Sequence, residues 1–127
     1  NVHMGPQNNT RGFWKHFYAG EFDYALEQLK YVLWVFPNHP VALHMLGVMA
    51  KKMGTTTIPI AYYEKAIRLF PDVPYTHAQY GAYFVDTGDV VQGMMELRKA
   101  LDLDPNLVQA RAWLARANAE IGVSTKR

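Results

Sequence analysis

Residues 40–73, PVALHMLGVMAKKMGTTTIPIAYYEKAIRLFPDV, contain one complete copy of the pattern that decides the fold. In the first half, apolar residues such as Leu43 and Leu46 recur at spacings of three and four, which is typical of one face of an α-helix. Gly54 interrupts this pattern, a second stripe of the same spacing follows, and Pro71 ends it. Glycine and proline at these points favour a turn and a helix end, respectively. The stretch therefore predicts two amphipathic helices joined by a tight turn.

The same unit recurs along the chain with a period of 34 residues. Pro37, Pro71 and Pro105 stand 34 residues apart, and a glycine lies 17 residues before each of them. A fixed period of this size is the sequence signature of a repeat protein. The predicted units are residues 6–39, 40–73 and 74–107, followed by a terminal helix at 108–122 and a tail at 123–127.

These recurring residues resemble the tetratricopeptide repeat (TPR). The matching residues are Gly20-Glu21-Phe22, Ala25, Leu29 and Pro37 in the first unit, Leu46-Gly47, Gly54, Tyr63, Ala66 and Pro71 in the second, and Tyr80-Gly81, Phe84, Gly88-Asp89, Ala100 and Pro105 in the third. The resemblance covers about residues 9–122. It implies an all-α fold, a right-handed α-solenoid of three helix-turn-helix hairpins plus a C-terminal capping helix. Residues 108–122 could equally be the first half of a further repeat, and both interpretations stay open.

Small residues mark the positions where helices should approach each other closely. Gly47, Gly81 and Ala115 share one position on the first helix of a unit. On the second helices, Pro59 and Gly93 depart from the family pattern, which has a packing alanine there. Pro59 is predicted to lie in the first turn of its helix. Gly93 is expected to loosen the third hairpin by about 1 kcal/mol relative to alanine.

Composition excludes several classes of function. The chain has no cysteine, which excludes disulfides, thiolate catalysis and cysteine-ligated zinc. Its net charge of +2 is too small to indicate nucleic-acid binding. No apolar run reaches the roughly 18 residues that cross a bilayer, so direct membrane insertion is not expected. Residues 1–8 are expected to be a tag remnant with a flexible start, and the compartment stays open.

The sequence offers no catalytic or metal site. His16 and His77 are predicted to pack inside or at the edge of the repeats, and no histidine pair has the spacing of a zinc motif. Asp102 and Asp104 have the DxD spacing of a metal-binding pair, but they belong to the helix-closing LDLDP segment that the TPR family commonly carries. No nucleophile or phosphate-binding motif is present. The chain is therefore predicted not to be an enzyme and to use no cofactor.

The resemblance also implies a binding site on the first helix of each repeat. Stacked hairpins curve so that the first helices line the concave side, and ligands of the family, usually extended peptides or helices, lie in that groove. The residues predicted to face it are Arg11, Trp14, Tyr18, His44, Val48, Lys51, Tyr75, Gln79, Ala82, Trp113 and Arg116. Family members that clamp a peptide carboxylate use Lys, Asn and Arg there. The equivalent positions of this chain hold Thr10, Trp14, Met45, Tyr75 and Gln79, so that clamp is absent.

The groove is therefore predicted to be apolar and aromatic, suited to an apolar peptide or an amphipathic helix. Trp14, Tyr75 and Trp113 are the predicted main contacts, because large aromatic side chains supply most of the energy of an interface. The alternative is that Trp14 and Trp113 pack against the ends of the chain itself. The predicted function is a non-catalytic scaffold or adaptor whose partner is a protein or a peptide.

A second surface competes with the groove. Tyr31, Trp34 and Phe36 make the end of the first unit's second helix unusually apolar, which is typical of a contact with another chain. The repeats could therefore build a homo-oligomer through this patch, or a preceding part of a longer parent protein could cover it. A third possibility is a secretion-type chaperone that holds an apolar segment of its client.

Overall fold

The computed structural model describes residues 20–125, with side-chain environments as far as residue 122. This part of the chain forms six helices and no strand: α1 (Phe22–Val35), α2 (Pro40–Met53), α3 (Ile58–Leu69), α4 (Pro74–Asp86), α5 (Val90–Leu103) and α6 (Val108–Thr125). The chain divides into two compact units, Asn1–Leu69 and Phe70–Arg127. None of the helices in residues 20–125 combines the length and the apolar character that crossing a membrane requires.

Proline and glycine set the helix ends at the predicted places. Pro40 and Pro74 begin α2 and α4, where the missing N–H leaves no helical hydrogen bond unmade. Gly54 ends α2 with a φ of 74°, a left-handed conformation that glycine adopts without steric cost. Its N–H points back to the carbonyl groups of Ala50 and Lys51, which closes the last turn.

Side chains cap two of the helices. The carboxylate of Asp89 accepts a hydrogen bond from the backbone N–H of Gln92 at 3.3 Å and caps α5. His39 does the same for α2, where its Nδ1 accepts from the N–H of Ala42 at 3.1 Å. A histidine is not among the residues that usually signal a helix start, which is why the sequence indicated only a turn at this position.

The first unit has its core between the buried faces of α1, α2 and α3. Ala25 and Leu29 of α1 and Leu43 and Leu46 of α2 are fully buried. From α3 the buried residues are Pro59, Tyr63 and Ala66. Pro59 lies in the first turn of its helix, as predicted. Phe70 follows the apolar stripe of α3 in the sequence but is exposed, because the helix ends at Leu69 and the next residue is no longer on its buried face.

The core of the second unit is shared by α4, α5 and α6. Its fully buried residues are Ala78, Leu97, Ala100, Ala110 and Ala117, and Trp113, Leu114 and Ile121 pack against them. The prediction for Ala115 is wrong, because this residue is exposed. Gly81, its counterpart in α4, packs against α5 of the same hairpin, and no corresponding helix follows α6 within the described residues.

Helices α4 and α5 approach each other through two glycines. A Cβ atom on Gly93 would lie 2.5 Å from Cγ2 of Val85 and 2.7 Å from the carbonyl oxygen of Gly81. A Cβ atom on Gly81 would lie 2.7 Å from the carbonyl oxygen of Gly93. The expectation that Gly93 loosens the hairpin is therefore wrong. The missing side chain is what lets the two backbones come into contact.

Tyr83, one of two buried tyrosines of α4, gives the unit a dependence on alkaline pH. Burial raises the pKa of the Tyr83 hydroxyl, because the phenolate would lose its hydration. The unfolded chain therefore releases this proton at a lower pH than the folded chain. The contribution of Tyr83 to stability is fully present below the unfolded pKa of about 10. It is lost as the pH rises through the higher folded pKa.

We expect this alkaline loss of unfolding free energy to be smaller in Tyr83→Phe than in the wild type. Urea unfolding of both proteins at pH 7 and at about pH 10.5 measures the difference, since the upper value lies above the pKa of an unperturbed tyrosine. Equal losses in the two proteins would contradict the assignment of this effect to Tyr83.

Candidate functional site

The predicted groove residues fall into three groups. Arg11, Trp14 and Tyr18 lie outside the described residues. On α2, in the first unit, His44 and Lys51 are exposed and Val48 is half-buried. The remaining five belong to α4 and α6 of the second unit: Tyr75, Gln79, Ala82, Trp113 and Arg116.

Two of the three predicted main contacts, Tyr75 and Trp113, lie against each other. Their ring centroids are 6.3 Å apart with an interplanar angle of 41°, a separation at which aromatic rings attract each other beyond simple burial. Tyr75 lies in the first turn of α4 and is 39% exposed. Trp113 is half-buried, because one side of its indole packs against the core of the second unit. The pair therefore forms an aromatic surface that the core holds in place.

The other three residues differ in how they can contribute. Arg116 is exposed and lies one helical turn after Trp113, so its guanidinium can reach a ligand beside the ring pair. Ala82 is half-buried. Gln79 is only 7% exposed, so its side chain is not available to a ligand in the way that was predicted. The candidate site of this unit is therefore Tyr75, Trp113 and Arg116.

The second predicted surface is open to solvent. Trp34 is 74% exposed, and Tyr31 and Phe36 are each 45% exposed. Tyr24 was not among the residues predicted for this surface, although it is 57% exposed on the same helix. Its position could be assigned to this surface only once the buried face of α1 was known.

Polar groups inside the α4–α5 hairpin form a network of their own. Nδ1 of His77 lies 3.2 Å from Oε1 of Glu96, and its Nε2 lies 2.8 Å from the carbonyl oxygen of Pro71. The ammonium group of Lys99 donates to Oε2 of Glu96 at 3.3 Å. His77 and Glu96 are both buried. The packing role predicted for His77 is confirmed, and its carboxylate partner, Glu96, was not predicted from the sequence.

The described residues contain no arrangement of three or more histidine, aspartate or glutamate side chains that could hold a metal ion. Of the aspartates in the LDLDP segment, Asp104 accepts a hydrogen bond from the backbone N–H of Asn106 at 3.0 Å. This bond stabilises the turn that follows α5, which agrees with the helix-closing role expected of the segment.

No protein-family model matches the sequence, and no curated protein matches it. Solved structures do match. The first TPR domain of Spaghetti (RPAP3), bound to the HSP90 peptide SRMEEVD, is 16% identical, with a TM-score of 0.62 over 96% of this chain and 99% of that chain. The first TPR domain of human RPAP3 is 16% identical, with a TM-score of 0.68 over 99% and 98% of the two chains. MamA 41-end from Desulfovibrio magneticus RS-1 is 19% identical, with a TM-score of 0.63 over 94% of this chain and 67% of that one.

The chain has the fold of a TPR domain. The all-α fold class predicted from the 34-residue period is therefore confirmed. In TPR terms, α2 and α4 are first helices of repeats and α3 and α5 are the second helices that follow them. Tyr75 then lies on a first helix, and Trp113 lies on α6, the helix that follows this hairpin in the chain.

Proposed function

We propose that this TPR domain is a non-catalytic protein-interaction module, a scaffold or adaptor, that binds an apolar peptide or an amphipathic helix. The observation that carries the proposal is the contact between Tyr75 on α4 and Trp113 on α6. The Spaghetti TPR domain, whose fold this chain shares, was solved with a bound peptide. A peptide ligand is therefore the partner class that the fold makes most reasonable.

The chemistry of the site favours a ligand with a large apolar side chain. Tyr75 is exposed enough to be contacted, and the core holds Trp113 against it, so little side-chain freedom is lost on binding. Rigid aromatic surfaces of this kind carry most of the energy of an interface. Arg116 adds a cation at the edge, which favours an acidic group or a carbonyl next to the apolar residue.

The test is a selection of peptides from a random display library on the immobilised domain, followed by calorimetric titration of the enriched peptides. We expect Tyr75→Ala to weaken their binding at least about tenfold, which corresponds to about 1.4 kcal/mol. The matched control is Val91→Ala, an exposed apolar residue of α5 that lies outside the candidate site. It should leave the affinity unchanged.

Two outcomes would contradict the proposal. One is that no peptide is enriched over a library passed across an unrelated protein. The other is that enriched peptides bind Tyr75→Ala and the wild type equally well while circular dichroism shows both to be folded. His44 and Lys51 of the first unit remain predicted contacts, and the same peptides titrated against His44→Ala and Lys51→Ala test them separately.

A further inference from the structure

The outward face of α1 carries aromatic residues along its whole length. The buried face of this helix consists of Ala25, Leu29, Val32 and Leu33. Tyr24, Tyr31 and Trp34 lie on the opposite side, where they are 57%, 45% and 74% exposed. Glu27 lies between them, and its Oε2 is 3.3 Å from Nζ of Lys30. We call Tyr24, Glu27, Tyr31 and Trp34 the α1 stripe.

The positions of the α1 stripe match a second copy of the same helix running in the opposite direction. Residues 24, 27, 31 and 34 follow each other at spacings of three, four and three, which read the same from either end. Such spacings form the contact seam of paired helices. In an antiparallel pair, Tyr24 of each copy faces Trp34 of the other, and Glu27 faces Tyr31.

The charges in the stripe favour the antiparallel direction over the parallel one. In a parallel pair, Glu27 would face Glu27 of the other copy, and like charges that meet in an interface repel each other. In the antiparallel pair, Glu27 of one copy lies within one residue of the position opposite Lys30 of the other, so the charges are complementary. The hydroxyl of the facing Tyr31 can also donate a hydrogen bond to the Glu27 carboxylate.

The exposed area is that of a weak dimer. Because a large aromatic side chain buries roughly 150–250 Å², the exposed fractions of the three stripe aromatics correspond to about 350 Å² per copy. The neighbouring Val35 and Phe36 are also exposed and can add to the rim. Two copies then approach the roughly 1,000 Å² at which specific interfaces begin. Interfaces of this small size belong to the weak, transient class, so the association is tested at micromolar and higher concentrations.

We propose that the outward face of α1 is a homodimer interface in which two copies pair antiparallel through the α1 stripe. The residues differ from those of the Tyr75–Trp113 site, so either proposal can fail alone. The first test measures the molar mass by analytical ultracentrifugation between about 5 and 500 µM, the range in which a micromolar complex dissociates.

Trp34→Glu and Val91→Glu form a matched pair of variants for this measurement. Each places a carboxylate at an exposed apolar position, on α1 and on α5 respectively. We expect the wild type and Val91→Glu to dimerise with rising concentration and Trp34→Glu to dimerise at least tenfold more weakly. A wild type that stays monomeric throughout would overturn the proposal, as would a Trp34→Glu variant that dimerises as readily as the wild type.

The direction of the pair can be measured with a spin label, because the chain has no cysteine of its own. Asp23→Cys introduces one at an exposed position beside the stripe and leaves its four residues intact. Antiparallel pairing separates the two labelled positions by about 18 Å along the helix axes. Parallel pairing would place them about 10 Å apart, the usual distance between packed helices. The shorter distance would overturn the proposed arrangement.

Discussion

Gly93→Ala is expected to destabilise the α4–α5 hairpin by about 1 to 3 kcal/mol, the usual cost of adding a methyl group to a closely packed core. Alanine is intrinsically better than glycine in a helix by about 1 kcal/mol, so propensity alone predicts the opposite sign. Packing decides the result. The new Cβ would lie 2.7 Å from the carbonyl oxygen of Gly81, which is backbone and cannot rotate away. Relief requires the two helices to move apart and to lose contacts along their whole interface.

The matched control is Gly122→Ala. It is the same substitution in a helix, but the new Cβ would meet nothing within 4 Å. That variant is expected to keep or to raise the free energy of unfolding, by at most about 1 kcal/mol. Urea unfolding of the wild type and both variants measures the two effects. A Gly93→Ala protein as stable as the wild type would show that the helices can separate at no cost, and the close contact would then not limit stability.

Local features of the fold could be predicted from the sequence, because they depend on residues that are close along the chain. Within residues 20–125, the turns between the helices lie at the glycines and prolines of the 34-residue period. Pro40 at the start of α2, Gly54 at its end and the Asp89 cap of α5 lie where local rules put them. A proline fixes its own φ, and a glycine adopts a positive φ, regardless of what packs against them.

Features that depend on facing helices were predicted less well. Gly93 was judged by helix propensity, and the carbonyl group of Gly81 that faces it is not visible in a linear pattern. Ala115 was assigned by its position in the repeat, but it becomes buried only if another helix packs there.

The candidate site was predicted only in part, because it too depends on which helices face each other. Tyr75 and Trp113 were chosen by residue type and repeat position, and they do lie together. Gln79 was chosen by the same rule, yet it is buried. Repeat position indicates which helix carries a residue, but exposure depends on how large the neighbouring side chains are.

The second large effect is expected at the buried pair of His77 and Glu96. His77→Ala or Glu96→Ala should each lower the free energy of unfolding by about 3 kcal/mol, because each change removes one partner of a buried polar contact. The first leaves Glu96 with Lys99 alone, and the second leaves His77 with the Pro71 carbonyl alone. Their side chains are only 8% and 7% exposed, so water cannot take the place of the missing group. The matched control is Arg98→Ala, an exposed cation on the same helix as Glu96. It should change stability by less than about 0.5 kcal/mol.

The hydrogen-bond partners of His77 require a proton between it and Glu96. The Pro71 carbonyl oxygen, 2.8 Å from Nε2, can only accept, so Nε2 carries a hydrogen. Nδ1 faces a carboxylate oxygen at 3.2 Å, and an unprotonated nitrogen there would set two acceptors against each other. Either the ring carries both hydrogens or the carboxyl group donates one. The ¹⁵N NMR spectrum of the His77 ring shows which of its nitrogen atoms carry hydrogen. We expect a proton on Nε2 and a second one on Nδ1 or shared with Glu96. A ring with a bare Nδ1 would contradict the assignment.

A double variant tests whether the fold needs the polar pair itself or only needs this buried space to be filled. His77→Leu combined with Glu96→Met removes both polar groups and fills the space with apolar atoms. Replacing a whole buried ion pair in this way is often neutral or stabilising, whereas removing one partner is costly. We therefore expect the double variant to be more stable than His77→Ala or Glu96→Ala alone. If it is as unstable as they are, the pair contributes geometry that apolar packing cannot supply. In that case the hydrogen bond from Nε2 of His77 to the Pro71 carbonyl oxygen is the contact to test next. It holds the segment that leads into α4 and Tyr75, so the peptide titration can measure its effect.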